Sequence, residues 1–259
     1  MSADHLLYRI ENNTAFLTIN REKQRNAISA EAVKLFLQYL DAAEKDESVR
    51  AVCITGSGDK AFCAGADLGN TMSGDKEAVM GAFQNYADLI KRLASFPKPT
   101  IARVNGFCVA GGTGFMLACD IVMASDKAKF GTPEVNVGLF PMMIGALIFR
   151  NVLRKKAMEM VLLGETLTAQ DALDIGMITR VTEPEALDEE VDRILSALTS
   201  KSPIGLMLGK KAFNEIAEKS LEDSVDILAE RLQEVASTED AKEGIMAFIE
   251  KRKPAFTGK

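Results

Sequence analysis

The chain has 259 residues, of which 47% are hydrophobic, a proportion sufficient for one sizeable core or for one core with a smaller appended unit. Its 31 basic and 37 acidic residues give a net charge of −6, which argues against the basic face of a nucleic-acid-binding protein. The longest uncharged apolar run covers residues 138–149, well short of the roughly 20 residues that cross a bilayer. We therefore expect a soluble protein in which a local basic cluster holds any anionic ligand.

The cysteines and the histidine narrow the possible chemistry. The cysteines lie singly in apolar segments, without the spacing of a zinc site or a disulfide framework: Cys53, Cys63, Cys108 and Cys119. Reduced, buried thiols and a cytoplasmic location are expected, with no signal peptide and no metal. The single histidine, His5, is predicted to lie in a loose N-terminal tail, which leaves carboxylates as the main groups for proton transfer.

The first hundred residues alternate between strand and helix patterns. Two alternating segments around a Glu-Asn-Asn turn predict an opening hairpin. Ser29 is a suitable N-cap for the helix that follows. The predicted elements are strands over 6–10 and 14–19, a helix over 29–45, a strand over 52–55, a loop over 61–68, a helix over 76–94 and a strand over 99–104.

The second half begins with the same alternation and ends in helices. A short buried helix is predicted over 115–119, a strand over 121–124, a turn over 130–134, an apolar segment over 135–149, a helix and a strand within 169–181, and helices over 185–198, 204–218, 220–235 and 239–251. This order predicts an α/β core over residues 1–195 and a helical region over 196–259. The helical region either packs against another subunit or covers its own core.

A glycine-rich stretch over residues 105–120 joins a predicted strand to a predicted helix. Gly111 and Gly112 lie at its centre, where unpaired backbone N–H groups at the start of a helix can bind an oxyanion. Because glycine lacks a Cβ, the backbone there can also approach a neighbouring segment closely. Anion binding and close helix packing both remain open from this stretch alone.

Several short motifs follow one another along the chain. They are Asn-Arg-Glu-Lys-Gln-Arg-Asn-Ala at 20–27, Lys-Ala-Phe-Cys-Ala-Gly-Ala-Asp-Leu at 60–68, Asn-Gly at 105–106 with Ala-Gly-Gly at 110–112, Cys-Asp at 119–120, Phe-Gly-Thr-Pro-Glu-Val at 130–135, Val-Gly-Leu at 137–139, Ala-Leu-Asp-Ile-Gly at 172–176, and Glu-Gly-Ile-Met-Ala-Phe-Ile-Glu-Lys-Arg at 243–252. In this order they resemble the motifs of the crotonase superfamily, the enoyl-CoA hydratases and isomerases. The resemblance implies an α/β spiral of repeated ββα units followed by a C-terminal helical trimerisation region. It also implies a homotrimer or a dimer of trimers that acts on acyl-CoA thioesters without a further cofactor.

The same resemblance assigns site residues one by one. The backbone N–H groups of Ala66 and Gly111 are expected to form an oxyanion hole for the thioester enolate. Contacts to coenzyme A are expected from Lys23, Ala27, Ala64 and Leu68, and from Phe248 and Lys251 of a neighbouring subunit. Some members carry a lysine directly after the Gly-Ala-Asp-Leu motif, where this chain has Gly69.

The acid/base residues depart from the hydratase pattern. The family's first glutamate is expected three positions after Gly111, where this chain has Gly114, whereas the second is present as Glu134. The apolar neighbours of Glu134 are expected to raise its pKa toward the range in which it both accepts and donates a proton. One carboxylate suffices for a 1,3-proton shift, as in double-bond isomerases, although a hydratase could also use Glu134 alone.

Other functions of the superfamily agree less well with the residues. Dehalogenases and dienoyl isomerases place an aspartate directly after a proline where this chain has Met142, and His5 is poorly placed for a Ser-His-Asp protease. The methionines at 142 and 143 either shape an apolar acyl pocket or pack in the core. A catalytically weak acyl-CoA-binding or assembly subunit is the alternative outside enzyme chemistry.

Overall fold

The structure, a computed structural model, describes residues 5–67 and 75–259. The strands of this part of the chain are β1 Leu6–Glu11, β2 Thr14–Ile19, β3 Ala51–Gly56, β4 Ala61–Cys63, β5 Thr100–Val104, β6 Phe107–Val109, β7 Ile121–Ser125, β8 Lys129–Gly131, β9 Thr166–Thr168 and β10 Arg180–Thr182. They form a six-stranded sheet in the order β1-β2-β3-β5-β7-β10 and a four-stranded sheet in the order β4-β6-β8-β9. All neighbouring pairs are parallel except β1 with β2 and β8 with β9.

The helices connect the sheets and form the C-terminal region. They are α1 Ala30–Lys45, α2 Lys76–Ala94, α3 Gly111–Leu117, α4 Met142–Asn151, α5 Arg154–Leu163, α6 Ala169–Asp174, α7 Leu187–Thr199, α8 Pro203–Ile216, α9 Leu221–Ser237 and α10 Glu239–Ile249. Side-chain caps define several starts: Ser29, for example, accepts a hydrogen bond from the Ala32 N–H. None of the described helices is long and apolar enough to cross a membrane.

Each turn of the chain supplies one strand to each sheet before a helix begins. The pairs β3–β4, β5–β6 and β7–β8 follow this rule, so the chain advances as a spiral of ββα units. As a consequence β4, β6 and β8 lie side by side and parallel, and their carboxyl ends meet at one edge of the small sheet. This edge is where the motifs at 64–66, 110–112 and 130–135 lie.

The main core lies between the two sheets and the helices that pack against them. Its largest fully buried side chains include Phe36, Phe62, Phe96, Phe115 and Phe130. A second apolar cluster, centred on Cys53, Ile101 and Met123, packs the other face of the large sheet against α7. The predicted division at residue 195 stays a prediction, and Leu195 lies within α7 in this second cluster.

Several local predictions differ from the structure. Residues 61–63 form β4 instead of a loop, and the strands β6, β8 and β9 and the helix α5 have no counterpart among the predictions. The buried helix predicted over 115–119 begins earlier, at Gly111, and ends at Leu117. Three residues are too few to show the alternation that identifies a strand, which explains the missed strands.

The prediction of a loose tail around His5 is also wrong. Its backbone carbonyl accepts a hydrogen bond from the Asn20 N–H at 2.9 Å, and its Nδ1 lies 2.7 Å from the Ser29 Oγ. His5 therefore packs at the start of α1. All four cysteines are buried, as the sequence predicts.

Candidate active site

Three turns converge where β4, β6 and β8 end. Cys63 is paired with Cys108, and Val109 with Gly131, so the segments that follow these strands emerge next to one another. These segments are 64–66, 110–111 and 132–134. They carry the two predicted oxyanion donors and the predicted acid/base glutamate.

The turn that follows β4 is hydrogen-bonded to Ile28, the residue directly after the polar loop 20–27. The Ile28 N–H donates to the Gly65 carbonyl at 2.8 Å, and the Ile28 carbonyl accepts from the Asp67 N–H at 2.9 Å. Successive N–H groups of an extended segment point in opposite directions, so the Ala66 N–H between these bonds faces away from Ile28. Gly65 has a φ of 92°, a conformation in which a side chain is strained.

The turn that follows β6 is in close contact with the first. A Cβ built on Gly65 would lie 2.8 Å from the Ala110 Cβ and 3.0 Å from the Gly111 nitrogen. A Cβ built on Gly112 would lie 2.2 Å from the Cys63 carbonyl oxygen. Glycine is therefore required at Gly65 and Gly112 for the backbones to approach this closely. Close packing, one of the two alternatives left open by the sequence, is therefore present here.

Ala110 adopts an unusual backbone conformation directly before Gly111. Its φ of 52° and ψ of −129° lie in a region that glycine favours, and such a residue costs about 1–3 kcal/mol. The Ala110 N–H donates to the Gly131 carbonyl at 2.9 Å, and the Ala110 carbonyl accepts from the Thr113 N–H at 2.9 Å. In the part of the chain that the structure describes, neither the Ala66 nor the Gly111 N–H donates to a backbone acceptor.

Glu134 lies in the short 3₁₀ helix Pro133–Val137 that follows β8. Its backbone carbonyl accepts from the Leu139 N–H at 3.0 Å, and Gly138, with a φ of 78°, ends the turn. Among the described side chains, the Glu134 Oε2 is a buried oxygen without a hydrogen-bond partner. Burial raises the pKa of the Glu134 carboxyl above its usual value, and its own backbone N–H offsets part of the effect.

The position of the absent first glutamate is filled by apolar side chains. A Cβ built on Gly114 would lie 2.4 Å from the Ile144 Cγ2, 3.2 Å from the Ile90 Cδ1 and 3.2 Å from the Tyr86 hydroxyl. Ile144 and Ile90 are both buried. The helices α2 and α4 thus close over Gly114, and no space is left for a longer side chain without movement of Ile144.

Tyr86, a residue of α2 without a functional signal in the sequence, contacts the glycine turn at 110–112. Its hydroxyl donates to the Gly111 carbonyl at 2.6 Å, and its ring packs edge-on against Phe115 with centroids 5.4 Å apart. Burial raises the pKa of the Tyr86 hydroxyl well above its usual value of 10, and the negative charge of the Glu134 carboxylate raises it further. The hydroxyl is therefore neutral.

A second group missed by the sequence fixes the loop 20–27. Arg21, which is 9% exposed, donates to the Ala27 carbonyl at 2.5 Å and to the Asp67 carboxylate at 2.7 Å. The fully buried Asn26 side chain accepts from the Arg21 N–H and donates to the Ala61 carbonyl. The contacts to Asp67 and to Ala61 join partners 46 and 35 residues apart, and neither Arg21 nor Asn26 carries a local pattern that reveals them.

The residues expected to contact coenzyme A fall into two groups. Ala27 and Ala64 are half-buried in adjoining segments, since the Ala64 N–H donates to the Arg25 carbonyl, and Lys23 is exposed on the same loop. Leu68 lies outside the described residues. Phe248, which is 86% exposed, and Lys251 lie at the end of α10.

Phe248 lies among the helices of the C-terminal region. It lines a cavity of about 350 Å³ among the C-terminal helices, with Gly205, Val235 and Phe256. The Lys251 N–H donates to the Phe248 carbonyl at 3.3 Å. The expectation that both residues reach the ligand of a neighbouring subunit stays a prediction.

Comparison with known proteins identifies the family. The family model described as enoyl-CoA hydratase/isomerase matches residues 9–259. The chain is 34% identical to the short-chain-enoyl-CoA hydratase of Clostridium acetobutylicum, with 98% of this chain and 97% of the other covered. It is 33% identical to the crotonyl-CoA hydratase of Syntrophomonas wolfei, with both chains fully covered.

The solved structures agree. The enoyl-CoA hydratase from Bacillus anthracis superposes with a TM-score of 0.95 at 29% identity, with 98% of this chain and 100% of the other covered. The α/β spiral of ββα units predicted by resemblance is therefore confirmed, and the chain belongs to the enoyl-CoA hydratase/isomerase family of the crotonase superfamily.

Proposed function

We propose that the protein is an acyl-CoA enzyme of enoyl-CoA hydratase/isomerase type in which Glu134 is the single acid/base residue. The Ala66 and Gly111 N–H groups form the oxyanion hole. The observation that carries the proposal is the buried, unpartnered Glu134 Oε2 at the sheet edge where both of these N–H groups lack a backbone acceptor. An unpaired carboxylate oxygen is costly to bury, which is typical of a group retained for chemistry.

The mechanism follows from the charge that develops on the thioester. Removal of the proton on the α-carbon, next to the thioester carbonyl, or addition of water to the double bond, produces an enolate with negative charge on the thioester oxygen. Two preorganised N–H donors stabilise that charge, and each such donor lowers the activation barrier by about 3 kcal/mol. Glu134 is the base that takes the proton, from the α-carbon or from the attacking water, as the enolate forms, and it then returns a proton to carbon. A pKa closer to neutrality than that of an exposed glutamate assists both transfers.

The substrate proposal is a coenzyme A thioester of an enoic acid. The named relatives support it, since they are hydratases of short-chain enoyl-CoA and of crotonyl-CoA. We assign the contacts to coenzyme A to Lys23, Ala27, Ala64 and Leu68, and to Phe248 and Lys251 of a neighbouring subunit. This assignment includes a homotrimer or a dimer of trimers built through the helical region 196–259.

A second candidate activity is the shift of the double bond between the 3- and 2-positions. Its support is the apolar closure of Gly114 by Ile144, Ile90 and Tyr86, which leaves no carboxylate to hold the water molecule on that side. A single base can remove a proton from one carbon of the allylic system and return it to another. The names of the relatives favour hydration, and the environment of Gly114 favours isomerisation.

The test is to supply 2-enoyl-CoA and 3-enoyl-CoA separately and to follow the products by mass. Addition of 18 mass units, that of one water, identifies a hydratase, whereas a moved double bond at unchanged mass identifies an isomerase. Glu134→Gln is expected to abolish either activity, and the exposed Glu185→Gln serves as the matched control. Full activity of Glu134→Gln would remove Glu134 from the mechanism. Binding of acyl-CoA without turnover would favour the catalytically weak binding protein.

A further inference from the structure

The Ala110 carbonyl of the Ala110–Gly111 peptide accepts from the Thr113 N–H at 2.9 Å, and the peptides before and after it are each held by a further hydrogen bond. Towards the small sheet, the Ala110 N–H donates to the Gly131 carbonyl at 2.9 Å. Towards α2, the Gly111 carbonyl accepts from the Tyr86 hydroxyl at 2.6 Å. The Gly111 N–H, one of the two proposed oxyanion donors, lies on the peptide between these two anchors.

The Tyr86 hydroxyl is closely enclosed at this position. It would lie 2.7 Å from a Cβ on Gly111 and 3.2 Å from a Cβ on Gly114, so it occupies the space that side chains at these positions would need. Its ring packs edge-on against Phe115, which in turn stacks on Phe36 with centroids 5.4 Å apart. The side chain is 7% exposed and is therefore fixed by packing before it forms its hydrogen bond.

We propose that Tyr86 is a positioning residue that keeps the strained Ala110 turn from relaxing and so keeps the Gly111 N–H directed at the thioester oxygen. The inference rests on the proposed function. Ala110 has a φ of 52°, and an alanine prefers negative φ. A change of Ala110 toward negative φ would rotate the following peptide, and the Gly111 N–H with it. The Tyr86 bond opposes this rotation because it fixes the Gly111 carbonyl, one residue further along.

This role differs from that of a proton donor that replaces the absent glutamate. The Tyr86 proton is already engaged with the Gly111 carbonyl. Burial keeps the pKa of this hydroxyl well above its usual value, so the proton is retained over the range in which Glu134 titrates. A positioning role therefore predicts that loss of the hydroxyl lowers the rate equally at all pH values, whereas a proton donor would alter the shape of the pH profile.

The test compares Tyr86→Phe with Tyr39→Phe, a matched loss of a hydroxyl on α1, where Tyr39 stacks against Tyr8. Tyr86→Phe is expected to lower kcat about 3- to 10-fold, the equivalent of one hydrogen bond, with KM changed less than about 2-fold. Tyr39→Phe is expected to match the wild type. A normal kcat for Tyr86→Phe, or a changed pH profile, would overturn the proposal.

A rescue variant separates positioning from general damage to the fold. Glycine adopts the Ala110 conformation without strain, so Tyr86→Phe/Ala110→Gly is expected to recover kcat to within about 2-fold of Ala110→Gly alone. A merely structural role of the tyrosine would not be repaired at residue 110. Failure of the glycine to rescue a folded double variant, judged by its thermal unfolding, would therefore overturn the proposal.

A measurement without turnover distinguishes this inference from the proposed function. Acetoacetyl-CoA has an acidic α-carbon, and an oxyanion hole increases the fraction that is bound as the enolate, which its ultraviolet absorbance reports. The Tyr86→Phe variant is expected to bind a smaller enolate fraction, and the Ala110→Gly change to restore it. Equal fractions in wild type and Tyr86→Phe would overturn the inference alone. Absence of enolate in the wild type would overturn both the oxyanion hole and the role of Tyr86.

Discussion

The packing of Ile144 against Gly114 can be tested by a pair of double-mutant cycles. In Gly114→Ala the new Cβ would lie 2.4 Å from the Ile144 Cγ2, more than 1 Å closer than a normal contact of about 3.5–4.0 Å between carbons. The overpacking costs about 1–3 kcal/mol, and the better helix propensity of alanine returns up to about 1 kcal/mol. The single variant is therefore expected to lose about 0–3 kcal/mol in its free energy of unfolding.

The two substitutions at Ile144 differ in whether they remove its Cγ2 methyl group, which the new Cβ at residue 114 would contact. Ile144 is 3% exposed, so Ile144→Ala is expected to cost about 2–5 kcal/mol, and Ile144→Val about 1 kcal/mol. Valine keeps a carbon at the Cγ2 position, whereas alanine lacks it. The Gly114→Ala/Ile144→Ala pair should therefore be about 1–3 kcal/mol more stable than the sum of its single variants, and the valine pair should be additive.

Equilibrium urea unfolding at one fixed protein concentration gives the free energies for both cycles. Coupling is expected only in the alanine cycle, because only there is the contact relieved. Additivity within about 0.5 kcal/mol in the alanine cycle would show that Ile144 does not restrict residue 114. Equal coupling in both cycles would show that an atom of Ile144 other than the Cγ2 restricts the side chain at residue 114.

Three further predictions concern the groups around the site. Because burial raises the pKa of Glu134, its charged form destabilises the fold, so Glu134→Gln should unfold at a higher temperature at neutral pH. This gain should fade as the pH falls from the raised pKa toward about 4.5, the usual glutamate value, and it should be absent below that pH; a gain independent of pH would contradict the prediction. Arg21→Met breaks the pair with Asp67 and should cost about 3 kcal/mol in urea unfolding, a value near zero arguing against a buried pair. Asp240→Ala removes the acceptor of the N–H groups at 257 and 258 and should speed amide hydrogen exchange in residues 255–259, whereas unchanged exchange would show that other contacts hold this segment.

Long elements with local signals were predictable from the sequence. The helix over 76–94 has the predicted bounds in the structure, because an apolar face and the N-cap Asp75 mark it locally. The opening hairpin was equally clear, since its turn residues Asn12 and Asn13 adopt positive φ, which asparagine tolerates well. Such elements depend on residues within a few positions of one another.

The geometry of the candidate site depends on contacts that no local pattern records. The strands β4, β6 and β8 have three residues each and are strands only because they pair with one another. The Tyr86 bond to Gly111 joins residues 25 positions apart. Family motifs gave the positions of Ala66, Gly111 and Glu134, but neither the strain at Ala110 nor its restraint could be inferred from residue types.

The environment of Gly114 and the bond from Tyr86 together suggest why one carboxylate is sufficient in the proposed mechanism. A glutamate at 114 would have to displace Ile144 and would approach the Tyr86 hydroxyl, which already holds the Gly111 carbonyl. The position at which the resemblance places the first glutamate is here used to pack α2 and α4 against α3. Restoring a carboxylate at 114 therefore requires at least the loss of the Ile144 side chain. A glutamate at 114 with Ile144 unchanged is expected to displace the turn at 110–112 and not to act as a second acid.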